Sequence, residues 1–230
     1  MNDLSRPGAI DPPYLYPEYR STRLRAPQQP LVALPKGALD VPGPMVPAAF
    51  VRDGDNDLTA HGRSAPLGEK MVVSGRLLDE SGRPIRRSLV EIWQANASGR
   101  YDHPGDTHDA PLDANFTGIG RAFTDDDGGY RFVTIKPGAY PWQNHAFAWR
   151  PQHIHFSLLG NAPIQRLVTQ MYFPGDPLLD IDPVYNSVPD AKARRRMIAA
   201  LALETGVDGI ALGYRFDIVL AGARATPLEP

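Results

Sequence analysis

Two histidines on one predicted strand are the residues in this sequence best suited to chemistry. In the run His153-Ile154-His155-Phe156-Ser157, polar and apolar residues alternate strictly. Successive side chains of a strand point to opposite faces, so the two imidazoles would lie side by side on the face away from the core. Such a pair can bind one metal ion, but it also occurs as two ordinary surface histidines. The spacing alone leaves both interpretations open.

The remaining ligands of such a site must come from other residue types. The sequence has no cysteine, which excludes thiolate zinc sites, iron–sulfur clusters, disulfides and cysteine nucleophiles. No histidine follows His155, and leucines stand where a cupin-like site would have its glutamate. Tyr101 and Tyr140 are candidate oxygen donors because each lies where a predicted strand runs into a loop, and functional side chains concentrate on loops. His145 is one of three further histidines expected at the surface.

Length and composition indicate a globular protein with many turns. The chain has 230 residues, a formal net charge of −2 and 42% hydrophobic residues. This hydrophobic content is enough for a core. The net charge is too small to attract nucleic acid or an anionic membrane. Glycine and proline number 21 and 24, which predicts short strands joined by turns. No apolar run resembles a secretory signal or a membrane span, so a cytoplasmic location is expected.

The chain divides into an irregular first part and a strand-rich second part. Residues 1–68 carry too much proline for helices or central strands, yet they are more apolar than disorder permits. We expect this segment to be an extended arm that packs on another surface, and we assign it to the surface of a partner chain. Residues 69–230 should form the catalytic domain.

Short strands with frequent turns predict an all-β fold, a sandwich of mainly antiparallel strands. Residues 71–96 and 124–142 are each expected to form a hairpin around a glycine-containing turn. Further strands are expected over residues 153–160, 166–173 and 211–222. The last of these places alternating apolar side chains on one face.

One helix should interrupt the strands, over residues 189–205. Asp190 is able to cap its start and Gly206 to end it. Met197, Ile198 and Leu201 would form its buried side.

Longer motifs around the candidate residues resemble a known enzyme family. The strings LVEIWQANASGRYDH, IKPGAYPW and RPQHIHF carry the two tyrosines and the two histidines, and LVTQMYFPGDPL follows them. Together they resemble the intradiol ring-cleaving dioxygenases, and the likeness extends over most of the chain. Catechol-cleaving members of that family have a helical dimerisation domain before the sandwich, whereas residues 1–68 show no helical pattern. The resemblance therefore implies the branch that acts on protocatechuate (3,4-dihydroxybenzoate).

The resemblance implies a non-haem ferric ion, Fe(III), held by Tyr101, Tyr140, His153 and His155. Tyrosines ionise near pH 10, so two phenolates at neutral pH require a strong positive charge beside them. In this family the substrate displaces one tyrosine, which Tyr140 matches by position. The implied reaction uses dioxygen to cleave the ring between its two hydroxylated carbons and gives 3-carboxy-cis,cis-muconate.

The resemblance also assigns roles to residues that would not touch the metal. Arg150, three residues before His153, would stabilise negative charge that develops on the ring, and Gln170 would help to position it. The implied substrate pocket contains four residues, Tyr19, Trp93, Trp142 and Val184.

A related alpha chain that lacks the ligands is the implied partner, in an alpha–beta hetero-oligomer with no role for nucleic acid or membrane. Two alternatives stay open. One is an intradiol dioxygenase for catechol or hydroxyquinol. The other is a non-catalytic β-sandwich binding module, which the two predicted hairpins also resemble but which would leave the paired histidines unexplained.

Overall fold

A computed structural model describes residues 10–32, 46–147, 149–159 and 166–230. Within these ranges three short α-helices are α1 (Thr22–Arg25), α2 (Pro183–Asn186) and α3 (Ala191–Arg195), and 3-10 turns cover Ala48–Phe50, Pro177–Asp180 and Leu203–Thr205. The strands in these ranges are β1 (Lys70–Leu78), β2 (Leu89–Trp93), β3 (Ile119–Phe123), β4 (Gly129–Ile135), β5 (Tyr140–Pro141), β6 (Trp149–Arg150), β7 (His153–Leu159), β8 (Arg166–Tyr172), β9 (Ala200–Leu201), β10 (Leu212–Arg215) and β11 (Ile218–Val219). None of these helices has the length and apolar character needed to cross a membrane.

The first main sheet is built around β1. Strand β4 pairs antiparallel with β1 from Lys70 to Arg76. Strands β10 and β11 pair with it in the parallel sense at successive positions, and β9 pairs with β10. All three strands that pair with β1 are therefore distant from it in sequence.

The second main sheet has the order β3-β2-β7-β8, and all of its pairs are antiparallel. Its register sets Trp93 and Gln170 on either side of His155. His153 lies opposite Tyr172. The other face of this sheet packs against the first sheet in one apolar core, whose large members include Phe132, Ile92, Ile154, Phe156, Met171 and Phe216. The predicted all-β sandwich is confirmed.

The two predicted hairpins are wrong, because their strands belong to different sheets. Strands β1 and β2 are separated by the core, and so are β3 and β4. The tight turns exist, with Gly82 N–H donating to the Asp79 carbonyl and Gly128 N–H to the Asp125 carbonyl. Those turns carry the chain from one sheet to the other, and the strand partners come from elsewhere in the sequence.

The predicted helix over 189–205 is also wrong in its extent. Helix α3 starts with Asp190 as its cap and covers only Ala191–Arg195. Beyond it, Tyr172 N–H donates to the Met197 carbonyl at 2.8 Å, so the backbone joins the edge of β8 instead of continuing the helix. Met197 is buried as expected, whereas Leu201 is 54% exposed.

Parts of the predicted arm lie against the sandwich of the same chain. Leu58 is fully buried in the core and its N–H donates to the carbonyl of Val133 at 2.9 Å. Further back, Arg20 N–H donates to the Asn144 carbonyl at 2.8 Å. Residues 1–9 and 33–45 of that arm lie outside the described residues.

Candidate functional site

Four side chains, Tyr101, Tyr140, His153 and His155, form a closed ring at one end of the second sheet. The ring centroids of Tyr101 and Tyr140 are 5.4 Å apart, and those of Tyr140 and His153 also 5.4 Å. The two imidazole centroids are separated by 4.9 Å, and Tyr101 closes the ring 6.4 Å from His155. These are the four residues that the sequence predicted as neighbours.

The strand pairs around this cluster determine its geometry. Strand β7 carries both histidines on one face, as the alternation predicted, and the indole of Trp93 stacks on His155 at 4.7 Å with the rings 5° from parallel. The short β5–β6 pair sets Tyr140 directly opposite Arg150. The face is not open to solvent, however, since His153 is only 2% exposed.

The loops that carry the two tyrosines touch through glycine backbones. Gly99 has φ +80°, and a Cβ at this position would lie 2.1 Å from the carbonyl oxygen of Ala139. The side-chain oxygen of buried Asn96 accepts from Arg100 N–H at 3.0 Å, and its carbonyl accepts from Gly138 N–H at 2.9 Å. One asparagine therefore joins both loops, and glycine at 99 lets them approach.

Replacing Gly99 with alanine should destabilise the protein by more than the roughly 1–3 kcal/mol that a left-handed non-glycine residue costs, because the new methyl group also meets backbone. Gly175→Ala is the matched control, since Gly175 has φ +78° with nothing near its added Cβ. Denaturant unfolding of both variants measures the difference. Equal losses of stability would show that the loop contact contributes nothing.

Hydrogen bonds fix which nitrogen of each histidine is an acceptor. His153 Nδ1 lies 2.7 Å from the Pro151 carbonyl, and His155 Nδ1 lies 2.9 Å from a carboxylate oxygen of Glu229. Both contacts require a proton on Nδ1, so in a neutral imidazole Nε2 is the nitrogen that keeps a lone pair. Burial, the Arg150 charge and His155 hold the pKa of His153 well below its ordinary value. His153 is thus neutral, the form in which imidazole binds a metal.

The Tyr101 hydroxyl is the one fully buried polar atom of the cluster that lacks a hydrogen-bond partner among the described residues. It is buried, and burial together with Tyr140 raises the pKa of Tyr101 well above 10. An unpartnered buried hydroxyl is costly, and a cation beside it would both pair with the oxygen and ionise it. The described residues contain no group of three or more His, Asp and Glu side chains able to hold a metal. A cation here would therefore need the tyrosine oxygens.

Arg150 lies beside this cluster in a complete hydrogen-bond network. Its Nε and Nη2 both donate to the Asp182 carboxylate at 3.0 Å, and Nη2 also donates to Gln170 Oε1 at 2.6 Å. Its Nη1 lies 3.1 Å from His153 Nε2 and 3.5 Å from the Tyr140 hydroxyl. Burial alone would lower the pKa of Arg150, but Asp182, Tyr140 and Tyr172 together outweigh it and hold that pKa well above its ordinary value. The guanidinium is a fixed positive charge.

The four predicted pocket residues differ in how directly they contact the cluster and Arg150. The ring of Tyr19 lies 4.7 Å from that of Trp142, and the Arg150 guanidinium lies 5.1 Å from the Trp142 centroid. Trp93 stacks on His155, as described above. Val184 is buried on α2, two residues after Asp182, the residue that pairs with Arg150.

Sequence reasoning missed four residues of this region. Tyr172 shares a strand face with Gln170 and was detectable by the two-residue period. Asp182 precedes a proline at the start of α2 and had only the pattern of a helix cap. No sequence pattern indicates Glu229. His145, expected at the surface, is buried and lies 6.0 Å from the Trp142 ring.

Comparison with known proteins gives a consistent result. The sequence profile of a family described as "Dioxygenase" matches residues 42–222. A second profile, "Protocatechuate 3,4-dioxygenase beta subunit N terminal", matches residues 5–36. Between them they cover most of the chain.

Individual relatives agree with these profiles. The protocatechuate 3,4-dioxygenase beta chain of Burkholderia cepacia is 56% identical over 95% of this chain and 93% of its own length. The protocatechuate 3,4-dioxygenase alpha chain of Pseudomonas putida is 32% identical over 69% of this chain and 75% of its own. The structure of hydroxyquinol 1,2-dioxygenase from Pseudomonas putida DLL-E4 shares the fold with a TM-score of 0.55 at 23% identity, over 80% of this chain and 68% of that one. The chain therefore belongs to the intradiol dioxygenase family, in which it is similar to a protocatechuate 3,4-dioxygenase beta chain.

Proposed function

We propose that Tyr101, Tyr140, His153 and His155 bind a non-haem ferric ion. The observation that carries this proposal is the closed ring of two phenols and two imidazoles, in which the buried hydroxyl of Tyr101 lacks a partner among the described residues. Ferric iron is a hard cation that suits phenolate oxygen, and neutral imidazoles complete the donor set. Nδ1 anchoring of both histidines matches the outer contacts that orient metal-ligating imidazoles.

A ferric ion in this ring would supply Lewis acidity, which favours the ionised forms of the tyrosines and of a bound catechol. Side chains of the protein would then accept protons from the substrate and stabilise developing charge. Tyr140, 3.5 Å from Arg150 Nη1, is the tyrosine we propose to yield its place to substrate and take a hydroxyl proton. Arg150 would face negative charge on the ring carbon as dioxygen attacks.

Two neighbours hold Arg150 for this role. Asp182 binds it through two parallel hydrogen bonds, which fix the plane of the guanidinium. Gln170 accepts from the same Nη2. Gln170 is therefore proposed as a positioning residue, and Trp93, Trp142, Tyr19 and Val184 as the walls of the substrate pocket.

We propose protocatechuate as the substrate, cleaved by dioxygen between its hydroxylated carbons to 3-carboxy-cis,cis-muconate. The support is the beta-chain relative that aligns with almost all of this chain, together with the match of the N-terminal profile to residues 5–36. Catechol or hydroxyquinol is the second candidate substrate, supported by the fold shared with hydroxyquinol 1,2-dioxygenase.

We further propose an arm (1–68), a catalytic domain (69–230) and an alpha-type chain as partner. Among the described residues of the arm, the exposed large apolar side chains are Tyr14, Leu15, Leu24, Leu31, Val32, Phe50 and Leu67. Exposed apolar groups concentrated on one segment are typical of a surface that is covered in the assembly. The similarity of this chain to both a beta and an alpha chain supports pairing of two related subunits.

Co-expression with a candidate alpha chain should raise the soluble yield and the ring-cleavage rate of this chain. Covering the apolar arm removes an aggregation surface, and the arm also contacts the loop after Trp142. Dioxygen uptake and product absorbance, measured with protocatechuate and with catechol, test partner and substrate together. A fully active homo-oligomer that prefers catechol would contradict both.

A further inference from the structure

The segment after β11 reaches the cluster along β8 and beside the arm. Glu229 N–H donates to the Val168 carbonyl at 2.9 Å, and Thr169 Oγ1 donates to the Pro227 carbonyl at 2.7 Å. Leu228 N–H donates to the Asp11 carboxylate at 3.1 Å. This segment is thus fastened to β8 and to the arm, and the backbone of Glu229 has a fixed place.

A single carboxylate oxygen of Glu229 accepts from two site residues. His155 Nδ1 lies 2.9 Å from Oε2, and Gln170 Nε2 lies 2.8 Å from the same atom. One oxygen of Glu229 is thus the shared acceptor of both residues.

We infer that Glu229 is a positioning residue, which holds His155 and Gln170 in the orientations that metal binding and Arg150 require. With the proton of His155 kept on Nδ1, the Nε2 lone pair is the one available to a metal. With its amide nitrogen held by Glu229, Gln170 turns its oxygen to Arg150 Nη2. Glu229 thereby orients two residues. One is His155, a proposed ligand, and the other is Gln170, which supports Arg150. The inference rests on the proposed iron site.

The experiment compares Glu229→Ala and Glu229→Gln with wild type, each produced with the same alpha chain and loaded with iron. The rate of iron loss to excess chelator is followed by visible absorbance and by iron per chain. Outer contacts of this kind alter metal affinity by about 10–100-fold, so Glu229→Ala should lose iron about 10–100 times faster. Glu229→Gln should fall between, since an amide oxygen still accepts but carries no charge.

Two further variants make the result specific. Glu204→Gln is the matched control, because Glu204 is exposed and contacts Arg215 only at 3.6 Å; it should lose iron at the wild-type rate. His155→Ala marks complete loss of the site. Thermal unfolding of the iron-free proteins separates positioning from folding, and Glu229→Gln should unfold near the wild-type temperature.

The possible failures can be distinguished. Wild-type rates of iron loss in Glu229→Ala, with His155→Ala devoid of iron, would overturn the role of Glu229 and leave the iron site standing. The role is also overturned if Glu229→Ala does not fold while Glu229→Gln retains iron like wild type. A wild-type protein that binds no iron would overturn the proposed site and this inference together.

Discussion

The His155→Ala variant is expected to be purified without iron and without visible colour, although its sandwich stays folded. The change removes one of two nitrogen donors and the stacking partner of Trp93, while the apolar core lies on the other face of the sheet. Tyrosinate-to-iron charge transfer is the expected origin of the colour, so both signals should disappear together. Iron per chain, visible absorption and circular dichroism measure the three parts of this prediction.

His61→Ala is a suitable control, because His61 is exposed and remote in sequence from the cluster. It should keep full iron and colour. Iron content that survives the loss of both His153 and His155, or full activity with zinc in place of iron, would refute the proposed site.

Replacement of Arg150 should slow the step after dioxygen mixing by roughly 100-fold or more, as for other losses of a preorganised charge stabiliser. Negative charge appears on the ring only during attack, so an interaction with it lowers the barrier without tightening substrate binding equally. Arg150→Ser should therefore retain the substrate-induced spectral change. Stopped-flow absorbance separates substrate binding from the oxygen step.

Loss of Arg150 leaves Asp182 without its partner, so the Arg150→Ser variant needs a second substitution at Asp182. The carboxylate is fully buried and paired with Arg150, and breaking such a pair costs about 3–5 kcal/mol. Arg150→Ser with Asp182→Asn removes the unpaired charge and keeps a residue that caps α2 well. Arg150→Lys should recover only part of the rate, because an ammonium lacks the planar guanidinium that donates two hydrogen bonds to Asp182. If the double variant loses iron, or binds substrate weakly while its oxygen step keeps its rate, Arg150 is an anchoring residue.

Local patterns in the sequence were sufficient where the structure depends on local geometry. The alternation in β7 put His153 and His155 on one face, and the register of β7 with β8 then brought Gln170 beside them. Loop position made the two tyrosines candidate donors, but their assignment as ligands came from motif resemblance, since the contact between Gly99 and Ala139 that joins their loops has no counterpart in spacing.

Patterns failed where pairing is decided between distant segments. A turn such as Asp79–Arg83 looks the same whether the next strand pairs with the previous one or crosses to the other sheet, and here it crosses. The apolar residues after α3 have helical spacing, yet their backbone groups pair with Tyr172 and with β10. Glu229 acts through contacts with residues about 60 and 75 positions earlier, which no local pattern encodes.

The parallel pairing of β1 with β10 and β11 has a consequence for the order in which the molecule folds. Ribosomes deliver β1 early, but its parallel neighbours are translated near the end of the 230 residues. Until then one edge of β1 has unpaired backbone groups, and such edges recruit other chains. Sheets with long-range pairing close slowly because loop closure precedes the favourable contacts. A lower expression level, which limits how many nascent chains expose that edge at once, should therefore improve recovery of the folded protein.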